Sequence, residues 1–91
     1  MKTIWKYTIP IYDYSEIVVK RNAIPLNVYQ EQASISGDYF INVWMLVDED
    51  ETDAAYSFFV IGTRHPVLGG ANYIGTVHVG RFVWHVFYSR K

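Results

Sequence analysis

Tyr39-Phe40-Ile41-Asn42-Val43-Trp44-Met45-Leu46-Val47 decides how the rest of the chain is read. Side chains alternate across a strand, so Tyr39, Ile41, Val43, Met45 and Val47 take one face and Phe40, Asn42, Trp44 and Leu46 the other. Both sets are mainly apolar, which places the strand inside a sheet and covered on two sides rather than at an edge. A second segment behaves the same way: Tyr56, Phe58 and Val60 alternate with Ala55, Ser57, Phe59 and Ile61. Between the two, Asp48-Glu49-Asp50-Glu51-Thr52-Asp53 gathers five of the nine acidic residues. The spacing predicts a hairpin of residues 39–47 with 54–61, and the acids then form a solvated tip that discourages aggregation. A calcium loop of the EF-hand kind would need a central Gly and flanking helices, and this stretch has neither.

Toward the N-terminus, Ile4, Lys6 and Thr8 alternate with Trp5, Tyr7 and Ile9, a half-buried strand that Pro10 closes. Tyr12-Asp13-Tyr14-Ser15 reads as a loop, residues 16–20 as a short strand and Arg21-Asn22 as a turn. Residues 24–32 form a strand with Pro25 near its start, where a missing N–H is tolerated. Its alternation sets Ile24, Leu26 and Val28 against Asn27, Tyr29 and Glu31, and Ser36-Gly37-Asp38 reverses the chain. Toward the C-terminus a long loop, residues 62–70, leads to two strands, 73–79 and 82–88. These join about Gly80-Arg81, with Gly at the first central position as a type II′ turn requires. That turn pairs Val79 with Phe82 and Val77 with Trp84, and it sets His78 and His85 on one face together with Ile74 and Thr76. The reading is all-β: a small, mainly antiparallel sandwich or barrel of about seven short strands, one domain over residues 1–91.

Composition narrows the function. Hydrophobic residues make up 51% of the chain and charged residues only 19%, which excludes disorder. The net charge of −1 argues against the basic field that duplex nucleic-acid binding needs. Cys is absent, which removes disulfides and thiol nucleophiles together. No apolar run approaches the ~20 residues of a membrane span, and neither a signal peptide nor a membrane partner is expected, so the location is read as cytoplasmic. Three Trp, eight Tyr and five Phe exceed what one small core absorbs. Trp5, Tyr7, Tyr12, Tyr14, Trp84 and Tyr88 are therefore assigned to an interface, most simply with further copies of the chain in a dimer or higher homo-oligomer.

Catalysis finds no support: no Ser sits in a strained elbow between glycines, and no pair of isolated carboxylates stands out. No cofactor is expected. His78 and His85 could share an ion only with a third ligand, which Ile74 and Thr76 do not supply, so no metal is expected either. Gly62-Thr63-Arg64-His65-Pro66 is the best candidate for binding, because it packs a hydroxyl, a guanidinium and an imidazole beside backbone amides freed by Gly62. Thr63, Arg64, His65 and, from the last hairpin, Arg81 are assigned to an anionic ligand such as a nucleotide. The competing reading has Thr63 and His65 bonding the loop backbone while Pro66 fixes its exit.

Five segments carry a resemblance: Lys-Thr-Ile-Trp-Lys-Tyr at 2–7, Trp-Met-Leu-Val-Asp at 44–48, Phe-Phe-Val-Ile-Gly-Thr-Arg-His-Pro at 58–66, Tyr-Ile-Gly-Thr-Val at 73–77 and Val-Trp-His-Val-Phe at 83–87. Together they resemble a family of small phage and prophage proteins of unknown function, in which the position of Arg64 is more often Gly. The resemblance implies an accessory role in the cytoplasm of an infected bacterium. On that footing the expected function is a non-catalytic binding protein of counter-defence, sequestering a host immune nucleotide signal or inhibiting a host defence protein. The alternative is a structural or morphogenetic phage component that assembles through its aromatic surface.

Overall fold

The seven segments with period-2 patterning form seven antiparallel strands: β1 (Lys2–Pro10), β2 (Ser15–Lys20), β3 (Ile24–Gln32), β4 (Tyr39–Asp48), β5 (Asp53–Gly62), β6 (Asn72–Val79) and β7 (Phe82–Arg90). The structure is a computed structural model and describes residues 1–32, 39–67 and 69–90; the reversal expected at Ser36-Gly37-Asp38 lies outside them. Two sheets result, one in the order β1-β4-β3 and one in the order β2-β5-β7-β6. No helix occurs among the described residues, and hence none long and apolar enough to cross a membrane.

β4 is central in its sheet, as its two apolar faces require, but β5 is not its partner. β4 pairs with β1 and β3, while β5 pairs with β2 and β7 in the other sheet. The expected hairpin of residues 39–47 with 54–61 is therefore corrected to a crossover. Side by side, the two strands would leave their largest apolar sets on one face; in opposite sheets, those sets bury each other. Ile41, Val43 and Met45 from β4 and Phe58 and Val60 from β5 all fall at 1% exposure or less. The acidic stretch is then a connection between sheets rather than a hairpin tip. The other nearby crossover, Arg21-Asn22, is tied to it: the Arg21 N–H donates to the Thr52 carbonyl at 2.7 Å, and Arg21 Nε donates to Thr52 Oγ1 at 3.2 Å.

The two sheets meet edge to edge where β3 lies against β6. Each strand carries a bulge there, at Leu26 in β3 and at Ile74 in β6. Beyond the first bulge Val28 turns inward and is buried, whereas Ile24 and Leu26 remain exposed, so these three do not share a face. A Cβ on Gly75 would stand 2.8 Å from Val28 Cγ2, closer than carbon atoms approach, so this contact exists only because Gly75 has no side chain. Tyr56 anchors the interior: its hydroxyl donates to the Ala23 carbonyl at 2.9 Å, its ring stacks on Tyr88 and Arg90 lies over it. At the opposite margin Tyr7 of β1 is half-buried and packs against the core.

Substituting Gly75→Ala is expected to cost about 1–3 kcal/mol, as overpacking does, and Val28→Ala should recover part of that loss in the double variant. Urea denaturation of the four proteins in the cycle checks it. Burial raises the phenol pKa of both Tyr56 and Tyr7 above the ordinary value. The folded state therefore prefers the neutral rings: their contribution is complete below about pH 10 and is lost as pH rises through the higher folded values. Urea midpoints should fall more steeply above pH 10 than between pH 8 and 9.5. In Tyr56→Phe the fall should be shallower, from a start roughly 1 kcal/mol lower for the lost hydrogen bond.

Candidate functional site

The loop leaving β5 closes as a tight turn in which the His65 N–H donates to the Gly62 carbonyl at 3.1 Å. Arg64, at the third position, has φ 73°. One such bond with a positive φ at that place is the pattern of a type II turn, where Gly is the usual occupant. Arg64 therefore sits in a conformation that costs a side-chain-bearing residue roughly 1–2 kcal/mol. Gly62 itself is wedged between two rings, with Trp84 and His65 at 3.5 and 3.6 Å from where a Cβ would lie.

Beneath the loop runs a chain of hydrogen bonds. Thr63 Oγ1 lies 2.9 Å from His85 Nε2, His85 Nδ1 lies 3.0 Å from Thr76 Oγ1, and Thr76 Oγ1 bonds the Tyr73 hydroxyl. A neutral imidazole has one donor and one acceptor, so the chain can run in either direction and leaves a free hydroxyl proton at one end, on Thr63 or on Tyr73. Thr63 thus anchors the loop to β7 through a side chain rather than by bonding loop backbone. Both ring nitrogens of His85 are occupied, which leaves it unavailable to share an ion with the exposed His78. Among the described residues, no three side chains of the metal-ligating kinds converge.

The bulge at Ile74 builds this chain. Strict alternation places Tyr73 with the inward Val77 and Val79, and Ile74 with His78 and His85. The register shift reverses these two: Tyr73 pairs with Phe87 and joins Thr76 and His85 on the outer face, while Ile74 packs against the core. Tyr73 is the functional residue that a strict period-2 reading misses, whereas Thr76 lies on the face with His85 as that reading expects. A Gly inside a strand pattern, here Tyr73-Ile74-Gly75-Thr76, is the sequence signal for such a bulge.

Three depressions surround the turn. One, of about 340 Å³, runs from Asp13, Tyr14 and Phe59 to His65 and Pro66. Another, of about 370 Å³, has Tyr73, Phe87, Thr76 and His85 as its floor and walls and Arg64 at its rim. The third, of about 460 Å³, brings Arg81 and Phe82 from the β6–β7 turn beside Thr63, His65 and Trp84. Three of the four residues assigned to ligand binding, Thr63, His65 and Arg81, therefore line one depression, and Arg64 lines the next. Gly80 has φ 61°, as a type II′ turn requires, and this turn carries Arg81 to the same end of the sheet as the loop. Arg64 and Arg81 have no carboxylate partner among the described residues.

The rings assigned to an interface divide. Tyr12 is 64% exposed and Tyr14 and Trp5 are also exposed, but Tyr7, Trp84 and Tyr88 are half-buried and pack against the core. Exposed rings that the assignment omits are Tyr29, Tyr73 and Phe82. Tyr29 stacks on Trp44 across the outer face of the three-stranded sheet.

Arg64→Gly relieves the left-handed strain but frees the unfolded chain, so the net gain is expected to be at most about 1 kcal/mol, with no loss. Thermal melts of the two proteins check it, and a clear drop in Tm would contradict the turn geometry.

No curated protein and no solved structure matches the chain. The match that does exist runs over the full length, residues 1–91. By that match the chain belongs to the family described as a domain of unknown function, DUF7352.

Proposed function

We propose that the protein is a non-catalytic binding protein that captures a small phosphate-bearing ligand at the Gly62–Pro66 turn. The observation that carries this reading is Arg64: a residue with a long cationic side chain occupies the turn position where Gly fits without strain, its guanidinium has no carboxylate partner among the described residues, and depressions lie on both sides of the turn. Strain of this kind is retained where the rest of the site over-determines it, commonly at ligand clamps. Arg81 supplies the second cation, and the Thr63 hydroxyl can donate to an anion when the chain through His85 runs outward. The phage resemblance gives the setting: a bacterial host's nucleotide signal, held out of circulation, or a host defence protein occupied through the same surface.

A second reading, self-assembly as a structural component, is favoured by the outer face of the three-stranded sheet. Ile4, Leu46 and Ile24 stand in one row across β1, β4 and β3, beside the Tyr29–Trp44 stack, and Ile4, Ile24, Leu26 and Tyr29 are all exposed. Such a face suits a two-fold contact with a second copy.

Titration calorimetry with inorganic phosphate and AMP tests the first reading. Binding is expected to weaken with added salt, and Arg64→Ala and Arg81→Ala should each reduce affinity about tenfold, as loss of a charge-assisted bond does, with Tm unchanged or slightly altered. Absence of any heat with both probes would sink it. The second reading expects a mass above one chain in light scattering, reduced to one chain by Ile4→Lys.

A further inference from the structure

The outer face of the four-stranded sheet carries a row of rings that no single strand reveals. Phe59 of β5 pairs with Phe87 of β7, and Phe87 pairs with Tyr73 of β6. Ser15 pairs with Phe58, so Tyr14, just before β2, extends the same row beside Phe59. Tyr14, Phe59, Phe87 and Tyr73 therefore cross all four strands in register. Neighbouring strands lie about 4.8 Å apart, which makes the row about 14 Å long. The rings form two tilted pairs: Tyr14 with Phe59 at 5.6 Å between centroids, and Tyr73 with Phe87 at 5.4 Å. The end ring of each pair is about half exposed, Tyr14 at 49% and Tyr73 at 57%.

Each pair has its own depression. The one at Tyr14 and Phe59 and the one at Tyr73 and Phe87 share Ile61, Gly62 and His65 as the wall between them, with Arg64 on the second. Two apolar, ring-walled hollows thus flank a turn that carries the Arg64 guanidinium. Aromatic side chains on an open sheet face are suited to stacking flat heteroaromatic rings, whatever their hydrogen-bonding edge. A cationic turn between them suits the phosphate that would join two such rings.

Resting on the reading of the Gly62–Pro66 turn as a phosphate site, the geometry points to a ligand with two bases: we propose that the protein binds a dinucleotide, one base on each ring pair and the phosphate bridge over the turn. A ligand that occupies both hollows gains from the second as an intramolecular event, which is worth more than either hollow alone.

Calorimetry with pApA, AMP and inorganic phosphate tests this on the intact protein. The expected result is that pApA binds at least tenfold more tightly than AMP. Tyr14→Ala and Tyr73→Ala, each of which also loses a ring contact and a side-chain hydrogen bond and so is expected to lower Tm by a few degrees, should each bring pApA down to about the affinity of AMP while leaving the affinity for inorganic phosphate unchanged. Equal affinity for pApA and AMP would overturn the two-base inference and leave the phosphate reading standing. So would a ten-nucleotide single strand that binds more tightly than pApA, since the site would then be part of a longer track. Silence from all the probes would remove the phosphate reading and this inference with it.

Discussion

The close approach of Gly75 to Val28 is the contact on which the rest of the architecture depends. β3 closes one sheet and β6 the other, and they can lie against each other only because one of the two residues at their nearest point has no side chain. Both strands bulge at this seam, and the two bulges have separate consequences. In β3 the bulge turns Val28 into the core. In β6 it brings Tyr73 onto the outer face beside Thr76 and His85, and so completes the polar chain that holds Thr63 and the loop beneath which it runs. A packing constraint inside the molecule thereby sets the geometry of the candidate site outside it.

Partition of the chain between two sheets also explains where the aromatic residues go. Tyr56 is buried, with its hydroxyl satisfied by the Ala23 carbonyl and its ring covered by Tyr88 and Arg90. That arrangement joins β5, β7 and the turn between β2 and β3. Trp84 and Tyr7 fill the margins of the core. Most of the remainder are shared between two outer faces of different character. One has aliphatic side chains and the Tyr29–Trp44 stack, flanked by Lys2 and Lys6 of β1; the other has ring pairs beside Arg64, which has no carboxylate partner among the described residues. An excess of rings over core volume, visible in composition, is thus two surfaces rather than one.

Much of the fold is legible residue by residue. Alternation marks the strands almost to their ends, Gly80 declares the last hairpin and its register, and the two apolar faces of residues 39–47 announce a central strand. The pairing of residues 39–47 with 54–61 is not legible. Adjacency in sequence and a short acidic connection favour a hairpin, and nothing local states that burying two apolar faces against each other is better than laying them side by side. The site is partly legible for the same reason. Thr63, Arg64 and His65 stand out as consecutive polar residues after a Gly, but Tyr73 is hidden by one extra residue in a strand.

What the amino-acid sequence determined by itself is local: which segments are strands, which face is apolar where no bulge intervenes, where turns need a left-handed residue, and that no thiol chemistry is available. These follow from sterics and from side-chain period, which act within a few residues. Tertiary structure alone decided which strands share a sheet, that Arg81 lies beside Thr63 and His65, and that Tyr14, Phe59, Phe87 and Tyr73 line up across four strands. Those outcomes depend on burying apolar area between elements far apart in the chain, a gain that exists only once both faces are present.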